Sequence, residues 1–159
     1  MLSRFPSGVI RFFVVCACIA GTGMGAGILA DNNQYANITG VKVSGQPDAY
    51  TFSVTIRSAD SGCEQFADWW EVIDKTGRLL TRRILLHSHT GEQPFTRSGG
   101  PVAIKADSHV WIRAHMNNNG YGGDIMAGSV ENGFTADTDP PDFAAGLEQA
   151  APQPGACAF

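Results

Sequence analysis

Apolar and polar residues alternate with a period of two through two long stretches of the chain. Residues 50–57 read YTFSVTIR, and residues 109–116 read HVWIRAHM. Successive side chains of a β-strand point to opposite faces, so this alternation predicts half-buried antiparallel strands. In the second stretch one face carries Val110, Ile112, Ala114 and Met116, and the other carries His109, Trp111, Arg113 and His115.

Shorter apolar segments separated by turn signals complete the pattern. They occupy residues 41–43, 69–73, 79–86, 102–104 and 125–130. About seven short strands of this kind predict an all-β fold, a two-sheet antiparallel sandwich of the immunoglobulin or fibronectin-III type. Residues 143–148 form a candidate short helix, and the prolines and glycine after Ala151 predict an irregular C-terminal tail.

The first thirty residues have the layout of a secretory signal peptide. Arg4 and Arg11 precede the apolar run 12–20, and small residues follow up to Ala30. We therefore predict a signal peptide at residues 1–30, a single β-sandwich domain at residues 31–159, and a secreted or periplasmic location. An uncleaved membrane anchor and a lipid anchor on Cys18 are the alternatives, and glycines in the anchor segment and a poor lead-in before Cys18 disfavour them.

Removal of the leader changes both the charge and the cysteine count. The full chain has a formal net charge of −4, and the loss of two arginines makes it more negative. Nucleic-acid binding is therefore excluded, because it depends on neutralising phosphates, and no membrane contact is expected after cleavage. Cys63 and Cys157 remain, and two cysteines in an exported protein are expected to form a disulfide. A free catalytic thiol at Cys63 is the alternative.

Five stretches carry a resemblance to other sequences. They are residues 61–72 (SGCEQFADWWEV), 82–89 (RRILLHSH), 92–102 (EQPFTRSGGPV), 113–117 (RAHMN) and 157–159 (CAF). Together they resemble an uncharacterised family of small secreted bacterial proteins with no assigned function. The resemblance implies an exported single domain with cysteines at these two places, and it implies no activity.

Histidines provide the first candidate site. His87 and His89 lie two residues apart at the end of one predicted strand, and His115 precedes Met116 near the end of another. If these two strands are neighbours, the imidazoles converge on one edge. Three imidazoles suit copper or zinc, and a thioether favours Cu(I). The alternative is that these are hydrogen-bonded surface histidines and that Met116 fills the core.

Tryptophans and arginines provide the second candidate site. Adjacent tryptophans on a strand point to opposite faces, so Trp70 is the expected core anchor, while Trp69 and Trp111 are candidates for an exposed platform. Guanidinium groups suit anionic ligands. The predicted ligand-binding set is Trp69, Trp111, Arg83, Arg97 and Arg113. The alternative is that the tryptophans are half-buried against arginine stems and that the arginines form cross-strand ion pairs.

Catalysis is the least supported interpretation. Asp68 and Glu71 are three residues apart and are expected to diverge on a strand, and no nucleophile–base pair is evident. The sequence thus predicts an exported binding or accessory protein that holds copper or zinc through clustered histidines. The alternative is a metal-free module that recognises a small ligand or a protein through tryptophan and arginine.

Overall fold

Two antiparallel sheets packed face to face form the protein. The computed structural model describes residues 32–137 and 142–158, and this part contains eight strands and two short 3-10 helices. The strands are β1 (Asn37–Gln46), β2 (Ala49–Arg57), β3 (Ala67–Asp74), β4 (Leu79–Ile84), β5 (Phe95–Val102), β6 (Val110–Met116), β7 (Ile125–Ser129) and β8 (Gly133–Asp137). The 3-10 helices are Asn32–Gln34 and Asp142–Gln149.

The strand order is β1-β2-β5 in one sheet and β4-β3-β6-β7-β8 in the other. The prediction of an antiparallel β-sandwich is confirmed, and the two alternating stretches correspond to β2 and β6. The predicted signal peptide lies outside the described residues. Within residues 32–137 and 142–158, no helix is long and apolar enough to span a membrane.

Side chains from the facing sheets interlock in the core. Phe52, Val54 and Ile56 alternate along β2 and are fully buried. They belong to the same apolar cluster as Trp70 of β3 and Ile112 of β6. Trp70 is therefore the core anchor, as the sequence predicted, because its indole points toward the other sheet.

β3 is buried on both of its faces, which is unusual for a strand of an antiparallel sheet with one face toward solvent. Every residue from Ala67 to Ile73 is buried. Since one face of β3 packs on the core, some other part of the chain must cover the outer face, where Trp69 and Glu71 lie.

The cover is the C-terminal segment, residues 142–158, which we call the C-terminal strap. It consists of the 3-10 helix Asp142–Gln149, where the sequence predicted a short helix, and an irregular tail. The predicted disulfide between Cys63 and Cys157 is confirmed and joins residues 94 apart in sequence. Next to it, the amide of Ala158 donates to the carbonyl of Leu86 at 2.6 Å. The strap is thus fixed at its far end.

Replacement of both bridging cysteines by serine is expected to lower the free energy of unfolding by about 2–5 kcal/mol, because the bridge closes a long loop in the unfolded chain. Urea denaturation of oxidised, reduced and variant protein measures this loss. In native, unreduced protein, Cys63 and Cys157 should resist alkylation. Modification of either one without denaturant would contradict the bridge.

Candidate functional site

A fully buried carboxylate lies at the centre of the outer face of the five-stranded sheet. Glu71 of β3 is paired across the sheet with Arg82 of β4 on one side and Arg113 of β6 on the other. Arg82 donates to Oε2 of Glu71 through Nε (2.9 Å) and Nη2 (2.7 Å). Arg113 donates to Oε1 through Nε at 2.8 Å. Charge-assisted bonds of this kind are the strong ones, so the three strands are locked in register here.

Two aromatic side chains complete the arrangement. The hydroxyl of Tyr121 donates to Oε1 of Glu71 at 2.8 Å and accepts from Nε1 of Trp69 at 3.2 Å. Burial, followed by the charge of Glu71, raises the pKa of Tyr121 to about 12, so this hydroxyl keeps its proton. The Arg82 guanidinium lies 4.4 Å from the Trp69 ring, and that of Arg113 lies 3.7 Å from the Tyr121 ring. We call these five residues the buried ion cluster.

The two guanidinium groups also bind the strap. Arg82 donates through Nη1 to the carbonyls of Ala150 (2.6 Å) and Pro152 (3.0 Å), and through Nη2 to that of Leu147 (2.6 Å). Arg113 donates through Nη2 to the carbonyl of Ala144 at 2.7 Å. Four backbone carbonyls of the strap are therefore bound by two side chains of the sheet.

His115 lies beside the cluster between two carboxylates. Its Nδ1 is 2.7 Å from Oδ1 of Asp68, its Nε2 is 3.1 Å from Oε1 of Glu148, and its ring stacks on Trp69 at 3.6 Å. A bulge at Asp68, between the pairs Ala67–Met116 and Trp69–His115, turns its carboxylate toward the outer face. The prediction that Asp68 and Glu71 diverge is therefore wrong, because the bulge shifts the alternation by one residue. Burial raises the pKa of Asp68, and His115 opposes that rise.

The structure does not bring the predicted metal ligands together. β3 lies between β4 and β6, so the strand that precedes His87 is not a neighbour of the strand that ends at His115 and Met116. Strands two positions apart are separated by about 10 Å. Met116 is fully buried in the core, which matches the alternative interpretation. Within the described residues, no group of three or more histidine, cysteine or acidic side chains could hold a metal ion.

His87 and His89 do lie close together, with ring centroids 4.5 Å apart. His89 is buried and stacks on Phe95 at 3.8 Å. Its Nδ1 has no hydrogen-bond partner, and the nearest carboxylate oxygen, on Asp60, is 3.6 Å away. Burial, followed by the charges of Arg97 and His87, lowers the pKa of His89. Its imidazole is therefore neutral near pH 7.

The predicted recognition residues are divided among three places. Trp69 and Arg113 are buried in the ion cluster, so the expectation that Trp69 forms an exposed platform is not met. Trp111 is half-buried, and its Nε1 donates to Oδ2 of Asp137 at 2.9 Å.

The other two predicted arginines stand near the β4–β5 boundary of the two sheets. Arg83 is exposed and donates through Nε to the carbonyl of Ser98 at 3.1 Å. Arg97 pairs with Glu92 at 2.9 Å. The printed contacts of Arg83 are with backbone carbonyls, and the partner of Arg97 lies in the loop before β5, so these contacts are not the cross-strand ion pairs of the alternative.

Two cavities lie on either side of His109, at the end of the sandwich where β6 begins. One has a volume of about 540 Å³ and is formed by the β3–β4 turn and the segment 103–110. The other, of about 460 Å³, lies against β7 and β8. Together they form what we call the His109 groove. The sequence analysis placed His109 on the polar face of its strand beside Trp111 but did not select it, because no motif separates a cavity wall from an ordinary surface residue.

Comparison with known proteins finds a similarity that covers about half of the chain. A stretch of 87 residues, 55% of this chain, is 41% identical to a protein of Halomicrobium mukohataei described as a putative lipoprotein. The matched stretch covers 43% of that protein, so the chain spans less than half the length of this relative. No protein-family model and no solved structure matches the chain.

Substitution of Glu71 by glutamine is expected to lower the free energy of unfolding by about 3–5 kcal/mol, because it leaves two buried guanidinium groups without their anion. Urea denaturation followed by circular dichroism measures the loss. Glu92→Gln is the matched control, since its pair with Arg97 is exposed, and it should leave stability unchanged. A loss from Glu71→Gln as small as that of the control would show that the cluster is not a structural centre.

Acid is expected to destabilise the fold through His89. Its pKa is lowered in the folded state from 6.5, so the unfolded chain binds the proton more readily once the pH falls below that value. Stability should therefore decrease from about pH 6.5 downward, until the pH passes the folded pKa. In unfolding experiments at several pH values, His89→Gln should have a shallower pH dependence than the wild type. His87→Gln should retain the wild-type slope, and an unchanged slope in His89→Gln would refute the assignment.

Proposed function

We propose that this protein is an exported binding protein of the cell envelope that holds a small neutral polyhydroxylated ligand, of the sugar class, in the His109 groove. Two features support export: the leader pattern of residues 1–30, and the similarity to a protein described as a putative lipoprotein. Cleavage after Ala30 fits release from the membrane. The description of the relative fits retention by a lipid on Cys18 instead.

The observation that carries the binding role is the pair of cavities that share His109. A volume of about 540 Å³ is in the range of small-molecule sites, and loops at the end of a sandwich commonly bind ligands. The exposed ring of His109 stands 4.6 Å from Trp111 at an interplanar angle of 76°. The edge-on contact with Trp111 supports the His109 ring, which lines both cavities.

The charges of the groove indicate a ligand without net charge. The larger cavity is lined by three cations and three anions, and four of them form pairs: Lys105 with Asp48 at 2.5 Å and Arg78 with Asp74 at 3.0 Å. The smaller cavity is lined by the hydroxyl of Thr135 and the amide of Asn132, and its one carboxylate, on Asp137, accepts from Nε1 of Trp111. Groups that both donate and accept hydrogen bonds beside a flat ring suit the hydroxyls and the apolar face of a sugar.

A metal site at His87 and His89 is the second candidate function. The specific observation in its favour is the 4.5 Å separation of the two rings, together with a His89 imidazole whose lowered pKa keeps it neutral, the form that binds metals. Two imidazoles are fewer than the three protein ligands of a catalytic zinc site. Copper or zinc would therefore bind here more weakly than in a complete site.

Titration with neutral disaccharides built from glucose and from N-acetylglucosamine is expected to shift backbone amide NMR signals of His109 and Thr135 in a saturable way. His109→Ala removes the wall shared by the cavities, so the dissociation constant should rise at least about 10-fold, or 1.4 kcal/mol. His87→Ala is the matched histidine control and should bind as the wild type does.

Titration with Cu(II) and Zn(II) separates the two candidates. Metal binding that is lost in His87→Ala and kept in His109→Ala, without any response to the sugars, would overturn the groove proposal and support the metal site. No saturable response of the groove amides to any of the disaccharides would overturn the proposed ligand class.

A further inference from the structure

We propose that the surface beneath the C-terminal strap is a site for an oxyanion such as phosphate or sulfate, and that it opens when the Cys63–Cys157 disulfide is reduced. The inference is independent of the His109 groove. It arises from the guanidinium N–H groups of the buried ion cluster that bind the strap instead of Glu71.

The strap occupies the positions in which an oxyanion would bind. Arg82 donates to three of its carbonyls and Arg113 to a fourth, at 2.6 to 3.0 Å. These donors belong to guanidinium forks that Glu71 also binds, through Nε and Nη2 of Arg82 and through Nε of Arg113. Forks of this geometry bind the paired oxygens of phosphate and carboxylate.

The two guanidinium groups contact a single carboxylate. Arg82 and Arg113 both pair with Glu71, and the strap groups that they contact are backbone carbonyls, which carry only partial negative charge. The carbonyl of Leu147 belongs to the last turn of the 3-10 helix, and those of Ala150 and Pro152 follow it. The C-terminal end of a helix carries partial negative charge. An oxyanion would supply a full negative charge in the same place.

Release of the strap also frees the imidazole of His115, in addition to the two guanidinium groups. Glu148 is a strap residue, and its carboxylate is the partner of His115 Nε2 at 3.1 Å. When Glu148 leaves, the surface loses one negative charge and His115 loses that partner. His115 keeps Asp68 on Nδ1, at 2.7 Å, and so stays oriented toward the vacated space.

The site is preorganised because its side chains are held from below. Arg82 lies on the Trp69 ring, Arg113 lies on the Tyr121 ring, and Tyr121 is bound to Glu71. None of these contacts involves the strap. The donors should therefore keep their positions when the strap departs, which reduces the cost of binding.

The strap itself is held largely by polar bonds and by the disulfide. Among its side chains with described burial, only that of Ala144 is buried. Both bridging cysteines are partly exposed and accessible to a reductant. A dithiol transfers two hydrogens, the S–S bond breaks, Cys63 and Cys157 become thiols, and the dithiol becomes a disulfide.

The test compares phosphate binding by oxidised protein, by protein reduced with dithiothreitol, and by the Cys63→Ser/Cys157→Ser variant. Isothermal titration with inorganic phosphate and with sulfate is carried out at constant ionic strength, with chloride as the balancing anion. We expect saturable binding to the reduced protein and the variant, with a dissociation constant at least 10-fold lower than for the oxidised protein.

Two further variants locate the anion. Arg113→Lys keeps the positive charge but removes the fork, and it should abolish the gain in binding on reduction. Arg97→Ala, which removes a surface guanidinium outside the cluster, should keep that gain. Equal binding in the oxidised and reduced states, no binding in either, or a loss caused by Arg97→Ala would each overturn the proposal. If Arg113→Lys does not fold, the comparison of redox states and Arg97→Ala decide the question.

Discussion

The structure depends on one buried anion that is shared by two cations. Glu71 is fully buried, and each of its oxygens accepts from a different arginine on a different strand. Burial of charge is costly unless the partners satisfy it completely, and removing one partner is more damaging than never having had the pair. Because Arg82 and Arg113 then bind the strap, the same ionic contact fixes three strands and the C-terminal segment in one arrangement.

This constraint explains why the domain has more layers than a simple sandwich. The inner face of β3 presents Trp70 to the facing sheet, while Glu71 on the outer face binds the two arginines that contact the strap. A face that carries arginine and glutamate cannot be covered by apolar side chains. It is covered instead by backbone carbonyls, which serve as acceptors for the guanidinium groups. The strap therefore contributes acceptors to this face through its backbone.

The parts of the fold that the sequence predicted are those that local rules govern. Period-two alternation identified β2 and β6, the adjacent tryptophans were assigned to opposite faces, and the two cysteines beyond the leader were paired. Strand order is not a local property. The convergence of His87 with His115 assumed that their strands were neighbours, and β3 lies between them.

The burial of the polar face of β3 and β6 could not be predicted from the sequence either. The residues on the outer face of β3 and β6 look like an exposed surface in the sequence, because the strap that covers them comes from the far end of the chain. The bulge at Asp68 has no sequence signal either, since nothing in Phe66–Trp69 distinguishes it from a regular strand. Both features are tertiary: they are set by what a segment packs against.

β6 connects the two sites proposed here and also keeps them apart. His109 and Trp111 stand at its beginning beside the groove, while Arg113 and His115 stand at its end under the strap. At about 3.3 Å per residue, the six residues from His109 to His115 span about 20 Å. His109, Trp111, Arg113 and His115 lie on the same polar face of this strand. This face therefore carries the exposed ring of His109 at one end and the covered guanidinium of Arg113 at the other. The two ends differ in whether the C-terminal strap covers them. Strap residues contact Arg113 and His115, whereas no strap residue is among those that line the cavities beside His109.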